Sequence, residues 1–388
     1  MKQVDSTNRI PIKSWCAHVE KSAYDQAVNL TKLACVFHHV ALMPDCHTGF
    51  GMPIGGVIAC NDTVIPNAVG VDIGCGMCAV RTNLAAGELD SNDIRRLLNR
   101  MRKRIPVGFD HHLKAQSWKG FDKAPDLAII RQELKSAHKQ LGTLGGGNHF
   151  IELQREESGM LWLMVHSGSR NFGYKIAREY HNAALSFCKR HNIALPDRDL
   201  AYVPMAETIA KDYFAAMEFA FRFAFENRQR MKTWCSEVIA DFAPCEFDFE
   251  VNIHHNFAVR ERHFGREVIV HRKGATRARQ NEYGIIPGSM GSASYIVRGL
   301  GNAESFASCS HGAGRVMGRN EANRRLDIAS VRAALDNVIL QQWPKDRKGN
   351  IDLSESPQAY KDIDEVIAAE QDLVEVAYKL KPLGVIKG

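Results

Sequence analysis

Five short stretches of this 388-residue chain carry side chains that can hold metal ions or react covalently. In Gly70-Val71-Asp72-Ile73-Gly74-Cys75-Gly76, the glycines let the backbone bend so that Asp72 and Cys75 share one side. A carboxylate and a thiolate at that spacing suit a transition metal, although a buried cysteine is also a common small hydrophobe. Cys75-x-x-Cys78 lacks the second cysteine pair that a four-thiolate zinc site needs. Leu144-Gly145-Gly146-Gly147-Asn148-His149, followed by Glu152, offers bare backbone N–H groups to an anion, or is simply a tight turn. The apolar run Trp162 to Val165 ends in His166-Ser167-Gly168-Ser169-Arg170. That layout sets an imidazole at a sheet edge beside a guanidinium able to fork onto phosphate; the alternative is a capped strand end.

His254 and His255 are adjacent, so on an extended chain they face opposite ways and at most one joins a given metal. Ser308-Cys309-Ser310-His311-Gly312-Ala313-Gly314-Arg315 surrounds a histidine with small residues, which leaves room for a bulky anionic substrate on the following N–H groups. Asp72, Cys75, His149, His166 and His255 are thus five potential ligands. Five ligands with a bridging thiolate fit two metals sharing Cys75, a pair able to clamp a phosphate, and His311 is left as a nucleophile. Thiolate and imidazole by themselves point to zinc or iron before manganese.

The elements that must position these groups alternate between two patterns. Apolar runs bounded by glycine or proline predict strands at 35–43, 54–60, 77–81, 161–166 and 267–271. Charged amphipathic runs predict helices at 92–104, 131–141, 174–191, 206–234 and 363–380. Phe219, Phe221, Phe223 and Phe225 alternate like a strand, but the surrounding Ala, Glu, Met and Arg without a breaker favour helix. Residues 106–126 and 343–357 read as long surface loops. Strands mixed with helices, without regular βαβ spacing, predict one mixed α/β domain over residues 1–388, a central mixed sheet surrounded by helices.

The bulk composition narrows the class. Hydrophobic residues make up 45% and charged residues 24%, an ordinary globular balance. No run of eighteen apolar residues suggests a membrane span, and the first residues lack a signal-peptide layout. Ten scattered cysteines fit a reducing compartment, so a soluble cytoplasmic protein is expected. The net charge of +6 permits a polyanionic partner without requiring one.

At these residues the chain resembles the RtcB family of RNA ligases, in its bacterial form. The resemblance is carried by Met43 to Gly49, Ala68 to Gly76, Gly147 to Phe150, His166 to Arg170, His255-Asn256, Ile286 to Gly291, His311 to Arg315, Ala359 to Asp364 and Val385 to Gly388. These strings keep their order to the last residue. The resemblance implies two manganese ions, one held by Asp72, Cys75 and His149, the other by Cys75, His166 and His255. It implies that His311 takes GMP from GTP. The nucleotide would lie against Asn148, His149, Phe150, Ile151, Glu152, His255, Asn256, Pro287, Gly288, Ser289, Met290, Ser294, His311, Gly312, Ala313 and Gly314, with Lys387 at the guanine and Tyr360 stacked on the base. Glu152 can accept from guanine N1–H and the amino group, which adenine cannot match. The attacking imidazole must be neutral, so guanylylation should weaken in acid. Arg170, Arg315 and Arg319 are candidates for the RNA backbone, or else surface charges. The implied reaction opens a 2′,3′-cyclic phosphate, moves GMP to the 3′-phosphate and joins it to a 5′-hydroxyl. RNA with broken ends and GTP are the expected partners, in RNA repair or tRNA splicing. Two other readings stay open: a two-metal RNA-end phosphodiesterase, which does not need His311, and a non-catalytic RNA-binding relative. Asn171-Phe172-Gly173, Cys78 and the two long loops depart from the family pattern.

Overall fold

The computed structural model of the chain describes residues 1–335, 338–345 and 349–388. Among these residues the architecture is mixed α/β, as expected, but the sheet core is divided in two. An eight-stranded sheet runs in the order Phe247–His254, Gly76–Ala85, Met160–Ser167, Phe150–Glu156, Val374–Lys387, Ser294–Gly299 and Tyr283–Ile286, with Ile339–Leu340 beside Val374–Lys387. A six-stranded sheet runs Gln3–Asp5, Ile12–Ser14, Val36–His47, Ile54–Cys60, Arg266–Lys273 and Asn256–His263. Two pairings in these sheets are parallel: Ile12–Ser14 with Val36–His47, and Ile339–Leu340 with Val374–Lys387.

The central strands are apolar on both faces because both faces are covered. In Met160–Ser167, Leu161, Leu163 and Val165 enter one core with Leu97, Met101 and Met231. Trp162 and Met164, pointing the other way, enter a second core with Ile285 and Ile296. The 35-residue helix Thr208–Phe242 lies across the first face and beyond it. The alternating phenylalanines belong to this helix, with Phe219 and Phe223 buried and Phe225 exposed. The chain passes from one sheet to the other at His254-His255-Asn256, where one strand ends and the next begins. That crossing sets the place where the sheets meet as the natural position for a site.

One expectation fails. The helix expected from Ile363 to Leu380 stops at Ala369, and Val374–Lys387 is a strand. Val374, Val376, Tyr378 and Leu380 alternate with polar or small residues, a period-two pattern that the charged residues around it obscure. Both edges of this strand are paired, with Ser294–Gly299 and with Phe150–Glu156, and such pairing overrides weak helix propensity. The strand matters because it carries Lys387 into the site described below. The 106–126 stretch is irregular apart from a short turn of helix at Lys119–Lys123. Of the expected loop at 343–357, positions 346–348 lie outside the described residues. Among the described residues no helix is long and apolar enough to cross a membrane.

Candidate metal and nucleotide site

Cys75 sits where the turn 72–75 enters the strand Gly76–Ala85, and its sulfur is the centre of a buried cluster. Its Sγ lies 3.5 Å from His149 Nε2 and 3.3 Å from His166 Nε2. His149 Nε2 is also 3.1 Å from a carboxylate oxygen of Asp72. The His255 ring is centred 5.2 Å from that of His166 and 4.8 Å from that of His311. The five expected ligands and His311 therefore come together, from segments far apart in the chain.

Local sequence explains the convergence. Gly70 and Gly74 adopt φ of 94° and 71°, so the turn can fold Asp72 back over Cys75. A side chain at Gly168 would collide with the Asp72 carboxylate, whose Oδ1 instead accepts from the Ser169 N–H at 3.0 Å. Two fully buried residues of the long helix hold the surrounding loops. Arg228 donates to the carbonyls of Gly74 and Ser167, each at 2.9 Å. Asn227 accepts from the Gly142 and Thr143 N–H groups at 2.7 and 3.1 Å and donates to the Thr143 and Gly168 carbonyls at 3.1 Å. Neither residue stands out by motif; a polar Asn-Arg pair on an otherwise apolar helix face is the available signal.

The donor set fits metal ions. His166 donates from Nδ1 to the Asn148 carbonyl at 3.0 Å, which leaves the Nε2 lone pair aimed at the Cys75 sulfur. Burial, and then neighbouring positive charge, holds the His166 and His255 rings well below the usual histidine range, so both are neutral. Burial pushes the Cys75 thiol far up, reinforced by the charge of Asp72. Burial also works to raise Asp72, but the hydrogen bond and charge of His149 outweigh it. Among the described residues, Nδ1 of His149 and Nδ1 of His255 are buried without a partner. Lone pairs, a thiol and a carboxylate facing one another are mutually unfavourable unless a cation lies among them. Cys78 is not part of this set, because its side chain enters the apolar core on the opposite face. His254 also points away, packed against Phe221 at a tilt of 31° and 3.0 Å from Arg228 Nη2.

On the far side of His255 is a cavity of about 350 Å³. His311, at the end of the strand Ser308–Ser310, opens into it. Asp45, fully buried on the strand Val36–His47, accepts from the His311 N–H at 3.1 Å and lies 2.6 Å from His311 Nδ1. Burial opposes the charge on Asp45, yet the adjacent His311 keeps its carboxyl below the usual range. Asp45 stands in one of the strings that carry the resemblance, but its role becomes visible only here; an acid inside an apolar strand is the signal the sequence holds.

Of the expected nucleotide contacts, Asn148, Phe150, Glu152, Pro287, Gly288, Ser289, Met290, His311, Gly312, Ala313, Gly314, Tyr360 and Lys387 line the cavity. Ile151 instead faces an apolar core. Ser294 lies behind the wall, accepting from Gln154 at 3.1 Å, and Asn256 braces the Gly274 N–H at 2.8 Å. Burial pushes the Glu152 carboxyl up to about 8, against the opposing effects of a Gln154 hydrogen bond and the charge of Lys387. Arg315 and Arg319 also reach the cavity, but both meet the buried Glu355, at 3.1 and 3.3 Å. Lys387 Nζ lies 3.6 Å from the same carboxylate, and the Tyr360 hydroxyl donates to it. Glu355 is thus the counter-charge of this wall, and nothing in the sequence singles it out. Arg170 is elsewhere, behind the glycine loop, donating to Thr143 Oγ1 at 3.0 Å and to the Gly108 carbonyl at 2.9 Å.

Comparison with known proteins agrees with this geometry. The family model for tRNA-splicing ligase RtcB matches residues 26–388. The chain is 40% identical to the RNA-splicing ligase RtcB of Escherichia coli K12, covering 99% of this chain and 98% of that protein. It is 31% identical to the tRNA-splicing ligase RtcB of Methanococcus maripaludis, over 96% and 92% of the two chains. With the RNA-splicing ligase RtcB of Mycobacterium tuberculosis it shares 32% identity, over 94% of this chain and all of the other. A match that runs nearly end to end, joined to a buried cysteine–histidine centre beside a nucleotide-sized cavity, leaves one conclusion: the chain belongs to the RtcB family of RNA-splicing ligases.

Proposed function

We propose that the chain is a single-domain cytoplasmic RNA ligase that uses GTP and two manganese ions to join a 3′-phosphate or 2′,3′-cyclic phosphate end to a 5′-hydroxyl end. The observation that carries this reading is the contact of Asp45 with His311. A carboxylate 2.6 Å from Nδ1 keeps the ring proton there and leaves the Nε2 lone pair as the nucleophile. In the first step Nε2 attacks the α-phosphorus of GTP, a P–N bond forms, and the bond to the β-phosphate breaks to release pyrophosphate. GMP then passes to the RNA 3′-phosphate, and attack by the 5′-hydroxyl closes the strand and expels GMP. Asp45 stabilises the charge that builds on the imidazole during attack.

Asp72, Cys75 and His149 would hold one metal ion, and Cys75, His166 and His255 the other. When bound, the ions supply positive charge for the triphosphate and the RNA phosphate. Glu152 and Lys387, at the end of the cavity wall, are the pair that reads guanine. Glu152 in its charged form accepts from N1–H and the amino group, and the two hydrogen bonds donated by guanine draw the carboxyl toward that form.

The test is incubation with manganese and α-labelled GTP, followed by denaturing electrophoresis. Label should stay on the wild type and be absent from His311→Ala. A wild type that opens cyclic phosphate yet retains no label would be a phosphodiesterase, contrary to this reading.

A further inference from the structure

The positive charge of this chain is not spread evenly. Between Arg100 and Gln140 there are ten lysines and arginines against four carboxylates, an excess of six that equals the net charge of the whole chain, +6. Outside that segment the charges cancel. Three of these cations are spent on partners, Arg100 on Asp241, Arg104 on Glu237 and Arg131 on Asp126. Lys103, Lys114, Lys119, Lys123, Lys135 and Lys139 are all exposed and, among the described residues, make no ion pair.

The segment borders the reaction centre. The Gly108 N–H donates to the Gly145 carbonyl at 2.9 Å, and the Leu144 N–H donates to the Pro106 carbonyl at 2.9 Å. The loop that begins there therefore rests on the glycine run leading to His149. Arg170 clamps the junction through the Gly108 carbonyl. Farther along, the N–H groups of His112 and Gln116 donate to the carbonyls of Lys139 and His138, at 3.0 and 2.8 Å. These bonds fix Lys114 beside the C-terminal end of the helix Ala128–Gln140. On that helix Arg131, Lys135 and Lys139 follow at intervals of four and so share a face, about 6 Å apart in rise. Two large apolar side chains stand among these cations, Phe109 at 77% exposed and Leu113 at 94%.

We infer that this rim, the 108–119 loop with the exposed face of the helix Ala128–Gln140, is the surface on which the ligase docks the single-stranded part of its RNA. Exposed lysines without partners suit a phosphodiester backbone, which they neutralise without reading sequence. A rim bonded to the glycine loop delivers the strand to the metal centre rather than to a remote part of the surface. The inference rests on the ligase reading for the identity of the polyanion.

The experiment compares two triple variants with wild type. One is Lys114→Gln, Lys119→Gln, Lys139→Gln; the control, outside the segment, is Lys2→Gln, Lys32→Gln, Lys211→Gln, three lysines that are also exposed. Binding of a fluorescent RNA with a 3′-phosphate is followed by anisotropy across a salt series. The rim variant should bind about tenfold more weakly or worse, and its plot of log affinity against log salt should flatten by about two units, roughly 0.7 for each phosphate no longer neutralised. Its labelling by α-labelled GTP and its melting temperature should match wild type. Affinity within about twofold of wild type, or an equal weakening in the control, would overturn the inference. Failure of the wild type to take label from GTP would instead remove the ligase reading, with the binding comparison still decisive for the surface.

Discussion

Two regions of this molecule cluster histidines, and they are built on opposite plans. On the six-stranded sheet, His38 stacks on Phe264 with ring centroids 3.8 Å apart, and His39 on Phe306 at 4.3 Å. The nitrogens there are spent: His39 Nε2 on the Glu304 carbonyl at 2.6 Å, His263 Nε2 on Glu261 at 2.8 Å, and His271 on Ile65 and Ile269 at 3.1 Å each. Around Cys75 the rings meet edge to face, their nitrogens point at one another and at a thiol, and two of the ring nitrogens have no partner among the described residues. Burial does not separate the two, since His39 and His271 are at least as buried as His149 and His166. What separates a structural histidine from a ligand is what its lone pairs face.

The sharpest way to break the contrast is at the sulfur. Cys75→Ala should lose bound metal, read by elemental analysis, and ligation should fall to background while the protein stays folded. Retained metal with retained ligation would remove the distinction. Next in size is Asp45→Asn, which keeps His311 but lets an amide N–H compete for Nδ1. It should lower guanylylation about a hundredfold or more with metal content unchanged. Glu152→Gln should weaken GTP about tenfold or more and narrow the margin over ATP, measured by competition binding. The pH dependence gives its signature. Burial pushes the wild-type carboxyl up to about 8, so GTP affinity should climb as pH rises through that value, whereas the variant should show no such climb. The smallest effect belongs to the other histidine region. Burial pushes His271 down to about 4, so the folded state prefers the neutral ring. The stability this gives is present above about pH 6.5 and is lost as pH falls toward 4, on the order of 3 kcal/mol in all. His271→Gln should flatten that acid slope in thermal melts and leave metal binding alone.

The contrast is partly legible in the sequence. The glycines around Asp72 and Cys75 announce a turn that can bring a carboxylate and a thiolate together, and the His254-His255 pair announces two rings that face opposite ways. Those inferences need only local geometry. Asp45 cannot be found that way, because it reaches His311 from 266 residues away through the packing of two strands. Glu355 is hidden for the same reason, since three of its cations come from other segments. The first half of the strand Val374–Lys387, residues 374–380, reads as helix from sequence because its identity depends on partners on both edges, which no single-segment pattern carries.

The central claim is that one thiolate joins two ions at the meeting of the two sheets. Crystals grown with manganese and measured at its absorption edge test it directly. The account predicts two anomalous peaks in ligand contact with Cys75 Sγ, one shared with Asp72 and His149, the other with His166 and His255. A single peak, or ions that do not touch that sulfur, would contradict it.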